Sequence, residues 1–178
     1  KNYTNIDKVF PGLNKEYKFS KLDEKDVAKD PFHQFGRWFE EAVKEGVAHP
    51  NAMIVSTASK KGNPSSRVLL LKGFDEKGFL FYSHRTSPKA KDIDENPRAA
   101  VVFFWAQQDR QVRITGKVKK TTAQESAAYF TSRSDDAKIA TWISEQSRTI
   151  KDRKTLEAKL KDIREKFEGK DIPTPKFW

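Results

Sequence analysis

The stretch Ser65–Asn96, SSRVLLLKGFDEKGFLFYSHRTSPKAKDIDEN, constrains the fold more than any other part of the chain. Ser66–Lys72 predicts a strand, with the apolar run Val68, Leu69, Leu70, Leu71 bracketed by Arg67 and Lys72. Gly73–Gly78 (GFDEKG) predicts a turn, because two glycines and an aspartate accept backbone angles that other residues resist. Phe79–Ser83 predicts a second strand. Thr86 or Ser87 then caps a helix with Pro88 at its first position, where a missing N–H costs nothing. The polar residues gather at these ends. Arg67 and Lys72 flank the first strand, Tyr82, Ser83 and Arg85 follow the second, and Lys89 sits in the first helical turn. Lysine, arginine and hydroxyl donors at a helix N-terminus suit an anion, phosphate best of all. The same charges also suit an ordinary solvated hairpin, and spacing alone does not choose between the two. There is no GxGxxG and no GxxxxGK[ST], so a phosphate here would be held by strand side chains rather than by a glycine-rich loop.

The 178 residues predict one domain over residues 30–178, preceded by a polar arm over residues 1–29. The 13 Phe and 4 Trp argue for a packed core and against disorder. The net charge of +10 suggests an anionic partner: nucleic acid, anionic lipid or phosphorylated small molecules. Acids are interspersed among the lysines, so a Lys-rich surface accounts for most of that charge. Zero cysteines exclude disulfides and a thiolate nucleophile and fit a cytoplasmic protein. No run approaches the roughly 20 apolar residues of a membrane span. His33, His49 and His84 lack metal-ligand spacing, and no GxSxG is present.

Asp30-Pro31 marks a helix start, with Phe32, Phe35, Phe39, Ala42 and Val43 at helical spacing and Gly46 as the stop. Ala52–Ser59 predicts a strand turned by Lys60–Pro64. Ala99–Trp105 is a nearly continuous apolar run, as in a strand buried on both faces. Gln111–Lys120 alternates, with Val112, Ile114 and Val118 inward and Gln111, Arg113, Thr115 and Lys117 outward. Five strands in meander order with one inserted helix predict a mainly β fold with peripheral helices (α+β), an antiparallel sheet closing into a small barrel. Thr122-x-x-Glu125 is a capping box opening a helix to about Ser132. Tyr129 and Arg133, four apart, would share a face of it, a hydroxyl and a guanidinium fit for phosphate or carboxylate. Ser134 caps a short helix, Ser144–Ser147 is a polar loop, and Asp152–Phe167 is a charged helix with Leu156, Leu160, Ile163 and Phe167 as its stripe.

The stretches DPFHQFGRWFEEA, RVLLLKGFDEKGFLFYS, SPKA, NPRAAVVFFW, RQVRITG, YFTSR and SEQS closely resemble the pyridoxamine 5′-phosphate oxidase family, in order and over residues 17–178. The resemblance implies an FMN-binding split barrel and a homodimer with FMN at the subunit interface. It implies that Arg67, Val68, Leu69, Leu70, Leu71 and Lys72 lie along FMN, with Tyr82 and Ser83, Lys89, Gln111, and Gln146 and Ser147 as further cofactor contacts. It assigns Lys72, Tyr129 and Arg133 to the substrate phosphate, and Tyr17 to a substrate lid. The activity implied is oxidation of pyridoxine or pyridoxamine 5′-phosphate by dioxygen to pyridoxal 5′-phosphate and peroxide. A hydride leaves substrate C4′ for N5 of FMN, and no side chain need be a strong base.

Four departures from the family pattern stand out. Pro88 occupies the place of an arginine on the FMN phosphate, which Arg85 is expected to replace. Asn14 replaces an arginine of the lid, Ala137 replaces a substrate-contacting serine, and the family's further strand beyond Phe177 and Trp178 is not in this sequence. Competing expectations are a split-barrel flavin binder without oxidase activity, an oxidase of another ring such as a phenazine precursor, and, from charge alone, a nucleic-acid module.

Overall fold

A computed structural model of the chain describes Ile6–Val9 and residues 22–178. Six α-helices and six strands occur among these: α1 (Ile6–Val9), α2 (Pro31–Lys44), β1 (Ala52–Ala58), β2 (Pro64–Leu70), β3 (Gly73–Asp75), β4 (Gly78–Leu80), α3 (Pro88–Glu95), β5 (Arg98–Trp105), β6 (Arg110–Lys117), α4 (Ala123–Thr131), α5 (Asp135–Ile143) and α6 (Arg153–Phe167). The described residues form two compact units. One takes the residues up to Asn51 with Phe103–Val112, the other Ala52–Val102 with Arg113–Trp178.

In the first unit α2 starts as its sequence dictates. Asp30 accepts from the His33 N–H at 2.8 Å, and Pro31 takes the first helical position. Phe35 and Ala42 are buried, and Phe35 packs on Phe103 and Trp105 with ring centroids 5.0 and 5.9 Å apart. Val43, expected on this face, is exposed instead, since the packed stripe is narrower than the apolar one.

The four-stranded sheet has the order β2-β1-β5-β6, and β1 pairs antiparallel with both β2 and β5. The meander expected from strand order is therefore corrected: β5 returns to β1 after the hairpin and α3. The expected GFDEKG turn is itself the β3–β4 hairpin, with only Glu76 and Lys77 between its strands. Asp75 makes so short a link possible by accepting from the Lys77 and Gly78 N–H groups, and Gly78 adopts a φ of 144°. The second strand accordingly ends at Leu80, which leaves Tyr82 and Ser83 beyond it. β2 ends at Leu70, and the Lys72 N–H instead donates to the Leu80 carbonyl at 2.8 Å. The apolar run of β5 predicts burial on both faces, but the strand alternates, and Phe104 is exposed.

Cross-strand register assigns the faces in the second unit. Val55 faces Arg67 and Val101, and Thr57 faces Ser65 and Ala99, so these side chains share the buried face of β1. Ile54, Val68 and Val102 share the opposite face. The Thr122–Glu125 capping box forms in both directions, but α4 ends at Thr131 and leaves Arg133 in the link to α5. Among the described residues no helix is long and apolar enough to cross a membrane.

Candidate functional site

Lys89, in the first turn of α3, is buried, with 5% of its surface exposed. Its ammonium donates to Gln146 Oε1 at 2.9 Å, Ser83 Oγ at 3.0 Å and Ser87 Oγ at 3.3 Å. Ser83 also donates to Gln146 Oε1, at 3.2 Å. Ser87 is the N-cap residue of α3, yet its hydroxyl donates to the His84 carbonyl at 2.7 Å rather than capping the helix. All these acceptors are neutral, and among the described residues no carboxylate pairs with Lys89. Burial, and then the nearby Arg67, hold the Lys89 ammonium below the ordinary lysine pKa.

Arg67 points from β2 onto the buried sheet face. Its guanidinium donates to the Val55 carbonyl and to Thr57 Oγ1, both at 3.0 Å. Thr57 in turn donates to Asp92 Oδ2 at 2.7 Å, and Ser65 to the same oxygen at 3.2 Å. Arg67 thus reaches Asp92 of α3 through intervening hydroxyls. Burial lowers its pKa, and Asp92 partly opposes this.

A second cluster is aromatic. The Tyr82 and Tyr129 rings stack at 4.0 Å with planes 5° apart, and Trp178 lies nearly parallel at 6.2 and 6.4 Å. Cations flank this stack. Lys72 Nζ lies 5.7 Å from the Tyr129 ring centre, and the Arg133 guanidinium lies 4.8 Å from Trp178 and 5.8 Å from Phe130. Such cation–ring contacts are electrostatically favourable and leave N–H donors free for a ligand. Burial, then Glu125 and Tyr129, raise the Tyr82 pKa, so its hydroxyl stays protonated. His84 is buried against Phe177 and Trp178, and its pKa is lowered by burial, by Lys89 and by Arg133.

The structure therefore brings Arg67, Ser83, Lys89 and Gln146 into one polar cluster, and Lys72, Tyr82, Tyr129 and Arg133 into one aromatic cluster. Leu71 is buried, while Val68 and Leu70 are exposed and Leu69 is half-buried. Arg85 is exposed, with its backbone N–H on the Phe177 carbonyl. Ser147 has a left-handed φ of 63°. Gln111 is exposed on β6 and belongs to the first unit. Tyr17 and Asn14 lie outside the described residues. Sequence reasoning missed His84 and Asp92 as members of these clusters, and Thr141, whose hydroxyl accepts from the Arg133 guanidinium at 2.6 Å. Asp92 had no sequence signal, because its contacts depend on the β1–β2 register 35 residues away.

The family model described as pyridoxamine 5′-phosphate oxidase matches residues 39–167. A pyridoxine/pyridoxamine 5′-phosphate oxidase of Rubrobacter xylanophilus is 44% identical over 94% of this chain and 77% of its own length. The protein of that name from Burkholderia multivorans is 46% identical over 93% of this chain and 77% of its length. Among solved structures, PhzG from Burkholderia lata, in complex with tetrahydrophenazine-1-carboxylic acid, superposes with a TM-score of 0.82 at 26% identity, covering 89% of this chain and 79% of that one. A pyridoxamine 5′-phosphate oxidase-related, FMN binding protein from Nostoc punctiforme shares the fold at 20% identity, with a TM-score of 0.57, over 74% of this chain and 73% of that one.

Proposed function

The chain belongs to the pyridoxamine 5′-phosphate oxidase family, and from that premise we propose that it oxidises a phosphorylated B6 vitamer to pyridoxal 5′-phosphate. FMN is the family's cofactor. The donor set here fits it: a buried ammonium without a counter-charge among the described residues is stabilised by the arrival of a phosphate dianion. That unpaired Lys89 is the observation that carries the reading.

FMN, when bound, supplies the hydride acceptor for substrate C4′ and passes the electrons to dioxygen, giving peroxide. The chain's own residues bind and orient. Lys89, Ser83 and Gln146 hold the cofactor phosphate, Ser87 steadies the Lys89 ammonium, and Arg67 adds positive potential from the buried sheet face. Lys72 and Arg133 hold the substrate phosphate, and the Tyr82–Tyr129 stack offers a flat wall for a pyridine ring. Gln111 and Ser147 are proposed as further cofactor contacts and Tyr17 as a substrate contact on the strength of the family pattern, and Arg85 as the substitute for the phosphate-binding arginine that Pro88 replaces.

We read the four-stranded sheet and the β3–β4 hairpin as parts of a split barrel. Ile54, Val68 and Leu70 are 42%, 64% and 42% exposed on one face of that sheet. Apolar area of this kind calls for a cover, and a second copy of the chain fits it, with the flavin strand β2 at the shared face. Sedimentation of the flavin-loaded protein as a monomer would exclude the dimer.

The likeness to PhzG supports a second reading, an oxidase of another ring acid, because Lys72 and Arg133 suit a carboxylate as well as a phosphate. One experiment addresses both. The protein is loaded with FMN, freed of excess and given pyridoxine 5′-phosphate in air. Retained flavin absorbance and equal yields of pyridoxal 5′-phosphate and peroxide are expected. Retained flavin with no turnover would break the B6 reading and leave the other oxidase or the non-catalytic binder.

A further inference from the structure

We propose that Thr141, on α5, is the positioning residue for Arg133, and so sets how tightly the site takes a phosphate ester. The inference rests on the reading of Arg133 as a substrate-phosphate ligand. Arg133 lies in the Ser132–Ser134 link between α4 and α5, with its backbone N–H on the Phe130 carbonyl at 3.2 Å and its side chain reaching past the end of α4. Its guanidinium lies over the Trp178 and Phe130 rings, contacts that tolerate sliding and rotation. Among the described residues one directional side-chain bond remains, from Nη1 to Thr141 Oγ1 at 2.6 Å.

The Thr141 hydroxyl is arranged to accept that bond. Its single proton goes to the Ala137 carbonyl one turn earlier, at 3.0 Å, which leaves its lone pairs facing the guanidinium. Thr141 is buried, so no water replaces it if the hydroxyl is removed. Among the described residues no carboxylate pairs with Arg133. The guanidinium is thus aimed by a neutral group, and its full charge and remaining donors are kept for a ligand. A carboxylate in the place of Thr141 would aim it equally well but would neutralise it. Ala137, on the same face of α5 one turn earlier, has no hydroxyl to offer, so Thr141 is the hydroxyl of that face that Arg133 uses.

The test compares Thr141→Val, which keeps the shape and loses the acceptor, with Thr141→Ser, which restores it. Calorimetry on the flavin-free protein measures the Kd for pyridoxine 5′-phosphate and for pyridoxine. The valine variant is expected to bind the phosphate ester about tenfold more weakly, with pyridoxine little changed, and serine to recover most of the loss. After flavin loading, KM should rise more than kcat changes. If the valine variant folds poorly, Thr141→Ala carries the same expectation. Equal binding by the valine variant and the parent would overturn the proposal. So would a serine variant as weak as valine, or a parent that binds the ester no better than pyridoxine. The binding measurement needs neither flavin nor turnover, so its outcome stands whether or not the oxidase assay succeeds.

Discussion

Two cation sites lie in the same unit and are built in opposite ways. Lys89 is enclosed, and its ammonium touches only hydroxyls and an amide. Lys72 and Arg133 sit over ring faces, Lys72 exposed and Arg133 half-buried. Neither site has a carboxylate partner among the described residues. For an exposed cation on a ring that lack costs little. For a buried ammonium it costs several kcal/mol, on the order of 3 or more, until an anion arrives. The enclosed site therefore suits a resident ligand that is rarely exchanged, and the ring-lined site suits one that enters and leaves at each turnover.

Lys89→Met should have the greatest consequence of any single substitution. Methionine fills nearly the same space without the charge. FMN affinity should fall about 100-fold, the worth of lost charge-assisted hydrogen bonds to a phosphate. The flavin-free variant should melt at a higher temperature than its parent, because an unpaired buried charge has gone. Fluorescence titration with FMN and a thermal scan without it read the two outcomes. A variant that binds FMN as tightly as the parent would remove Lys89 from the phosphate site. The same lysine gives a pH dependence. Its folded pKa lies below the usual 10.5, so the unfolded chain holds more protons in the window just beneath that value. Stability of the flavin-free protein should rise with pH through that window as the buried ammonium discharges. FMN affinity should fall over the same range, since the phosphate loses its cation.

Arg133→Lys comes next. A lysine keeps the charge and loses both the planar fork and the bond to Thr141. The KM for pyridoxine 5′-phosphate should rise about tenfold in steady-state assays, with the loss falling on phosphorylated substrates rather than on FMN. An equal loss of FMN affinity would mean that the two sites are one.

The two sites differ in how far the sequence disclosed them. Lys89 was legible locally: Ser87-Pro88-Lys89 is a helix start, and Ser83 precedes it by one strand end. Tyr129 and Arg133 were legible as a pair at the end of a helix expected to run to about Ser132, and α4 ends at Thr131 with Ser132 as its C-cap. Thr57, Ser65 and Asp92 were not legible, because they meet through strand register and a long connection. The helices read well, since caps such as Asp30 and Thr122 act within four residues. The sheet order read poorly, since pairing β5 with β1 is decided by packing over more than 40 residues.

His84 lies between the two sites, and its titration should have a weaker consequence than either substitution. Its ring packs on Phe177 and Trp178 of the C-terminal segment, and the charged groups acting on it are Lys89 of α3 and Arg133 of the α4–α5 link. Burial and both cations lower its pKa below 6.5, so it stays neutral when folded at pH values where the unfolded chain is already protonated. Flavin-free protein should therefore lose stability as pH falls from about 6.5 toward the folded pKa, by at most about 3–5 °C in Tm per pH unit for this group. His84→Gln should flatten that slope. Lys89 acts on His84 more strongly than Arg133 does. A bound phosphate that offsets Lys89 should then shrink the slope more than one that offsets Arg133. Thermal scans from about pH 5 to pH 7, with FMN alone and with pyridoxine 5′-phosphate alone, separate the two cases. A larger effect from the substrate would reverse the assignment of resident and exchanging ligand to the two sites.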